Sequence, residues 1–417
     1  MNEEKKVVFE NGIYTYILSF FCTVMPMLTI PYVTRCLGTN GYGEFSVAFN
    51  LVNYFQIIVE YGFALHGTRK VAISKETEDI NKCFSNIFTS RVILYIISLI
   101  LMFIYLSIFI KNKEIVVCCF ILFLMVLGSM LQQNWLLQGL QKMKYITAIG
   151  VVSRLVSVVL IFSFVRDEND VYLYCLLYAL TNFLVGVSGL FFVVCKLNVR
   201  FIKVSRESVI TELKEAVHTF ISILGSKILG AFGITVLGLV ASKSDVGIYS
   251  AVYKIPNVVI MLFSPISQVV YPYISKKYMD GIKCGEKIVV KIAIPIMLLF
   301  SILSVGVWGM SETVVGIIFG EEYIEGHIAL KILMIWVLFS ILNNFLGIQT
   351  LVASNHSKEY GNAFMITVVI AFVANIVLVQ KYNGCGVAIA LLLSELSLTL
   401  LLLYKIFRIN MKVVENT

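Results

Sequence analysis

Apolar runs long enough to cross a bilayer recur along the whole 417-residue chain. They lie near 12–34, 42–64, 86–110, 115–137, 145–165, 171–195, 217–240, 246–272, 288–308, 329–352, 360–380 and 384–407. A hydrocarbon core of ~30 Å takes ~20 apolar residues wound as a helix. Inside it, every backbone N–H and C=O needs a partner within the chain, which leaves helices or closed barrels. Barrel strands alternate apolar and polar over ~10 residues, and these runs do not. The pattern predicts an all-α integral membrane protein of about twelve transmembrane helices. Composition agrees: 14% of residues are charged, against ~25% in soluble domains.

Basic residues set the expected orientation. With the N-terminus inside, twenty-one Lys and Arg fall on the inner segments and six on the outer ones. That asymmetry predicts a multi-pass protein of the cytoplasmic membrane with both termini cytoplasmic. It also accounts for the net charge of +8 without nucleic acid, since no basic domain stands outside the apolar runs. The stretch near 196–216, as long as any inner segment, is expected to hold a short amphipathic helix at the membrane surface. The N-terminal run has no small-residue cleavage site after it, so it is expected to stay as the first span. Nine scattered cysteines, with no CxxC pair, suit apolar packing better than disulfides or a metal.

A weak internal repeat is present. GEFSVAFNLVN at 43–53 aligns with GIYSAVYKIPN at 247–257, pairing Phe45 with Tyr249, Ser46 with Ser250, Phe49 with Tyr253 and Asn53 with Asn257. Six expected spans separate the two, so the halves would share one orientation, as in parallel repeats.

Charges within spans are costly, ~2.5–3.5 kcal/mol on insertion scales. Arg91, Lys291 and Lys331 lie close enough to span ends to snorkel. Arg154 and Lys227 fall mid-span, and Lys254 lies in the outer half of its span. Such cations need a buried partner or a watery cavity. Glu395, mid-span, and Glu60, nearer an inner end, are candidates for ion pairing or ion coupling. Two carboxylates cannot neutralise three cations, so a net positive cavity is expected, with Arg35 at its outer end. A cavity of that sign suits a pyrophosphate or an acidic sugar. Asn50, Asn53, Asn257, Asn343 and Asn344 would either bond between helices or meet sugar hydroxyls there. Pro26, Pro31, Pro256, Pro265 and the glycines of 217–240 make the first, seventh and eighth spans candidates for bending.

Enzyme signatures are missing: there is no GxxxxGK[ST], HExxH or GxSxG. The four histidines stand apart in sequence and suit loop or interface positions. No catalytic constellation, cofactor or metal site is expected.

Several stretches resemble the polysaccharide-transport flippases, the Wzx-like branch of the multidrug/oligosaccharidyl-lipid/polysaccharide exporter superfamily. They are IPYVTRCLGTNGYGEFS (30–46), EYGFALHGTRKVA (60–72), NWLLQGLQKMKYITAIGVVSR (134–154), IFGEEYIEG (318–326) and ALKILMIW (329–336). The resemblance implies two six-helix bundles, 1–206 and 207–417, around a central cavity worked by alternating access. It implies an undecaprenyl-pyrophosphate-linked oligosaccharide as cargo, bound for O-antigen, capsule or a similar surface polysaccharide. Arg154, Lys227 and Lys254 would meet its pyrophosphate or acidic sugars. Membrane lipid, a polysaccharide polymerase and a chain-length regulator are the implied partners. Two alternatives stay open at this point. One is a drug or metabolite exporter of the same superfamily, whose usually cationic cargo fits a positive cavity poorly. The other is a membrane-embedded polysaccharide polymerase or ligase, for which the outer loop near 309–328 is short.

Overall fold

A computed structural model describes the backbone of residues 3–74 and 76–415. Side chains are described for 10–411 apart from 23, 75, 218, 222, 223 and 225–229. The described residues are overwhelmingly helical, with no strand among them. Nine of their helices are long and apolar enough to cross a membrane. The described residues form an all-α membrane protein, as the apolar runs predict.

The first compact unit is Met1–Ala231. Its helix α1 (Glu3–Glu60) carries two expected spans, parted at Gly38, where φ is 63°. That left-handed backbone is open to glycine at little cost. There follow α2 (Phe63–Ile73), α3 (Thr77–Phe109), α4 (Lys113–Leu131), α5 (Asn134–Gly139), α6 (Met143–Phe164), α7 (Val171–Phe191) and the greater part of α8 (Arg206–Val240). Helices α4 and α7 approach closely because Gly128 and Gly186 face each other. A Cβ on Gly186 would collide with the Gly128 carbonyl, the small-residue packing that membrane helices favour.

The second unit is Phe232–Thr417. After the end of α8 it comprises α9 (Lys243–Val252), α10 (Lys254–Met279), α11 (Ile282–Gly309), α12 (Ser311–Phe319), α13 (His327–Asn343) and α14 (Ser357–Glu415). The last helix holds two expected spans on either side of Asn383, whose φ is 46°. The seventh expected span lies on α8, and the eighth is divided between α9 and α10. Pro256 offers no N–H to the Val252 carbonyl, and α9 ends at Val252.

The sequence repeat has a structural counterpart in each unit. Phe45 stacks on Phe49 with centroids 5.5 Å apart and planes 17° apart. The matching Tyr249 and Tyr253 stack at 5.6 Å and 15°. Phe45 and Tyr249 are both buried, as are Ser46 and Ser250. Each half thus seats its repeat segment with the same aromatic pair inward.

Two local expectations are corrected. Residues 197–205 are not helical. The backbone N–H groups of Arg200 and Ile202 donate instead to Asn81 Oδ1 and Ser85 Oγ on α3, both at 2.9 Å. These side chains take the donors that a helix would have used. Helix begins only at Arg206 and runs on without a break to Val240.

Arg91 does not snorkel. Its side chain is 5% exposed, and its guanidinium donates to the carbonyls of Gln132 at 2.7 Å and Ser129 at 2.5 Å. The fourth span breaks at Gln132–Gln133, between α4 and α5. Carbonyls at a helix end lack intrahelical donors, lipid offers none, and a cation suits the negative end of the helix dipole.

Candidate functional site

Arg154 lies on α6, half-buried. Its Nη1 donates to the Gly150 carbonyl one turn back, at 2.9 Å, and its charge reaches the Tyr178 phenol of α7. Lys254 opens α10 and is also half-buried. Among the described residues, no ion pair involves Arg154, Lys254 or Glu395. Arg35 is exposed on α1, just before the Gly38 kink. Lys227 falls within α8, but its side chain lies outside the described residues.

The candidate carboxylates have different surroundings. Glu60 accepts from Gln56 Nε2 at 2.8 Å within α1, and its charge reaches Arg91. Glu395 is held by neutral groups. Asn343 Nδ2 donates to its Oε2 at 2.5 Å and to its carbonyl at 2.8 Å. The Ser340 hydroxyl also reaches the carboxyl. Thr399 Oγ1 completes the cluster by donating to Asn343 Oδ1 at 2.8 Å. A carboxyl surrounded by neutral donors and part-buried in a membrane span is a place where a proton or a small cation can be taken up and released.

The asparagines divide into two kinds. Asn343 is 4% exposed and fully engaged by Glu395 and Thr399. Asn344 accepts from Ser267 Oγ at 2.8 Å. Asn50 is buried, with Nδ2 3.4 Å from the Ala231 carbonyl. These three bond between helices. Asn53 and Asn257 are half-buried. Asn53 bonds to the carbonyl of Phe49 in its own helix at 2.8 Å, and Asn257 bonds with the Tyr253 phenol. Sequence reading passed over Ser340, Thr399 and Tyr178, since a hydroxyl in an apolar helix carries no sign of which neighbour it will meet.

A second polar cluster went unforeseen. His66, expected to stand alone, bonds to Glu212 at 2.8 Å. Lys70 Nζ lies 2.9 Å from Glu212 Oε2 and 2.7 Å from Glu215 Oε2. His66, Glu212 and Glu215 bring three possible metal ligands within 4.8 Å of one another. The Lys70 ammonium bridges both carboxylates, and the group is an ion-pair cluster. His327 Nδ1 lies 2.9 Å from the Ile324 carbonyl, and His356 Nδ1 3.0 Å from Ser354 Oγ. His218 has its side chain outside the described residues.

Comparisons with known proteins agree with this architecture. A protein of Escherichia coli (strain K12) named for O-antigen transport is 27% identical over 405 residues, covering 97% of both chains. A solved structure of the lipid II flippase MurJ, in an inward closed conformation, superposes with a TM-score of 0.74 at 13% identity, over 95% of this chain and 87% of that one. An inward-facing multidrug resistance MATE family transporter of the MOP superfamily gives 0.68 at 13% identity, over 96% and 99%. These two likenesses establish a shared fold. Residues 8–278 match the family described as "Polysaccharide biosynthesis protein", and the chain belongs to that family.

Proposed function

We propose that this protein is a flippase that moves an undecaprenyl-pyrophosphate-linked oligosaccharide across the bacterial cytoplasmic membrane for surface polysaccharide synthesis. The observation that carries the reading is the pair of half-buried cations, Arg154 and Lys254, neither of them ion-paired among the described residues. A desolvated cation within a span costs free energy unless something offsets it. A passing pyrophosphate offsets it through charge-assisted hydrogen bonds. The full-length relative named for O-antigen transport supports the same cargo class.

In this reading two helix bundles, divided within α8, expose the cargo path to one face of the membrane and then the other. Arg35, Lys227 and the half-buried Asn53 and Asn257 belong to that path. The protein makes and breaks no covalent bond. Both termini lie in the cytoplasm, and a polymerase and chain-length regulator receive the cargo on the far side.

The test is reconstitution into liposomes with a fluorescent lipid-linked oligosaccharide in one leaflet. Protein-dependent appearance of the label in the other leaflet is the expected result. A rate equal to that of protein-free vesicles would reject the proposal. Glu395 is assigned ion coupling. Glu395→Gln can still accept from Asn343, so it should melt within a few degrees of the parent and yet lose the response of transport to an imposed proton or sodium gradient. A Glu395→Gln variant that responds as the parent does removes Glu395 from coupling.

A further inference from the structure

Helix α2 and the turn before it meet the beginning of α8 through four contacts. Tyr61 stacks on Phe220 with centroids 4.4 Å apart and planes at 14°. Gly62, at φ 74°, sits so close to Thr219 that a Cβ there would come within 2.9 Å of Thr219 Cγ2. One turn on, His66 bonds to Glu212. A further turn on, Lys70 bridges Glu212 and Glu215. From Tyr61 to His66 the partners on α8 step back from Phe220 to Glu212, and Lys70 closes on the same turn at Glu212 and Glu215. Both belong to the first compact unit.

The charge at the centre is deeply placed. Glu212 is 2% exposed, whereas Glu215 is 45% and Lys70 34% exposed. A buried carboxylate stays ionised only where it is paired and hydrogen-bonded. Burial pushes the Glu212 carboxyl up, and the hydrogen bonds from His66 and Lys70 outweigh that, leaving it below its ordinary value. Burial likewise lowers Lys70, and its two carboxylates outweigh that and raise it. The Glu212 contribution is therefore lost only as pH falls through the depressed carboxyl value, and that of Lys70 only as pH rises through the raised ammonium value. Both hold across the neutral range.

We propose that α2 is a clasp on the connecting helix α8. It fixes residues 212–220 to the first unit through the buried Glu212 and the Tyr61–Phe220 stack. Helix α8 then runs on past Ala231 into the second unit. Any change in the direction of α8 during transport is therefore taken up beyond Phe220. The clasp is a conformational device independent of what the cargo is, and it stays closed at neutral pH.

A native thiol reports on it. Cys83, on α3, is buried and lines a cavity of ≈ 560 Å³ together with Lys70 and Glu212. Parting of the two helices would widen access to it. Burial first, and then the Glu212 carboxylate, hold the Cys83 thiol up, while the Lys70 ammonium acts the other way. Removing Glu212's charge therefore makes Cys83 more acidic, and removing Lys70's charge makes it less so. A pure charge effect would speed alkylation in one variant and slow it in the other. Loss of the clasp would speed both.

The experiment is N-ethylmaleimide labelling of the full chain in nanodiscs, read by peptide mass spectrometry and normalised to the exposed Cys195 and Cys284. We expect Cys83 to react at least tenfold faster in both Glu212→Gln and Lys70→Met, with buried Cys118 unreactive throughout. An unchanged rate, or opposite changes in the two variants, overturns the clasp. If Cys118 also opens, the same reading is made in Phe220→Leu, which removes the Tyr61–Phe220 stack and no charge: faster Cys83 with silent Cys118 supports the clasp, and any other pattern refutes it. No cargo is involved, so failure of the flippase reading in liposomes and failure of the clasp here are separate outcomes.

Discussion

Alanine in place of Arg154 or Lys254 is expected to lower flipping of a pyrophosphate-linked oligosaccharide at least about tenfold. The magnitude follows from what is removed. A hydrogen bond to a charged group contributes ~1.5–3 kcal/mol, and each ~1.4 kcal/mol is a factor of ten in an equilibrium constant. Loss of one contact to the pyrophosphate therefore gives about ten- to a hundredfold. Arg154→Lys keeps the charge but loses the planar fork, so its rate should fall between those of the parent and Arg154→Ala. The cargo supplies the control. An analogue with a neutral linkage in place of the pyrophosphate should move slowly in the parent and lose nothing more in either alanine variant. Measurement is by leaflet transfer in liposomes, with each variant's melting midpoint checked beside it. Parental rates in both alanine variants, with the pyrophosphate cargo, would remove these cations from the path.

How much of this could be read from the chain depends on how far apart the interacting residues stand. The spans were legible because lipid imposes a one-dimensional rule: a run of apolar residues and little else. The repeat was legible too, since Phe45 and Phe49 share a helix face with the spacing of Tyr249 and Tyr253. Short-range competition was harder. Residues 197–205 leave the helix at Asn198, whose φ is 54°, and their non-helical path is bonded to Asn81 and Ser85, more than a hundred residues earlier. His66 and Glu212 lie 146 residues apart, and neither flanking sequence marks the other. The candidate cations were found by their cost in the membrane, which is a local property. Whether an asparagine faces a cavity or a neighbouring helix is not local. Asn343 and Asn53 look alike in sequence, yet one is enclosed by Glu395 and Thr399 and the other is bonded within its own helix.

Arg91 shows the same limit and yields the second large effect. Depth along α3 alone made it a snorkelling residue, because the break it caps is on another helix and carries neither Pro nor Gly at Gln132–Gln133. Arg91→Met would take this donor from the Gln132 carbonyl and from the Ser129 carbonyl, which keeps only the Gln132 N–H at 3.2 Å. Two hydrogen bonds to a charged group total at least about 3 kcal/mol on the soluble scale, while bonds within membranes average ~0.6 and reach ~1.7 kcal/mol each. The buried Arg91 Nε, which has no partner among the described residues, offsets part of the loss, since Met carries no such donor. A net destabilisation of about 2 kcal/mol results. At ~2–4 °C per kcal/mol for a unit of roughly this size, the melting midpoint in detergent should fall by about 4–8 °C. Arg91→Lys, with its charge intact but able to reach one carbonyl well, should fall by about half as much. If Arg91→Met melts within about 1 °C of the parent, the guanidinium does not hold the broken span together, and the α4–α5 break must be stabilised by the packing of the buried Trp135 and Leu136 alone.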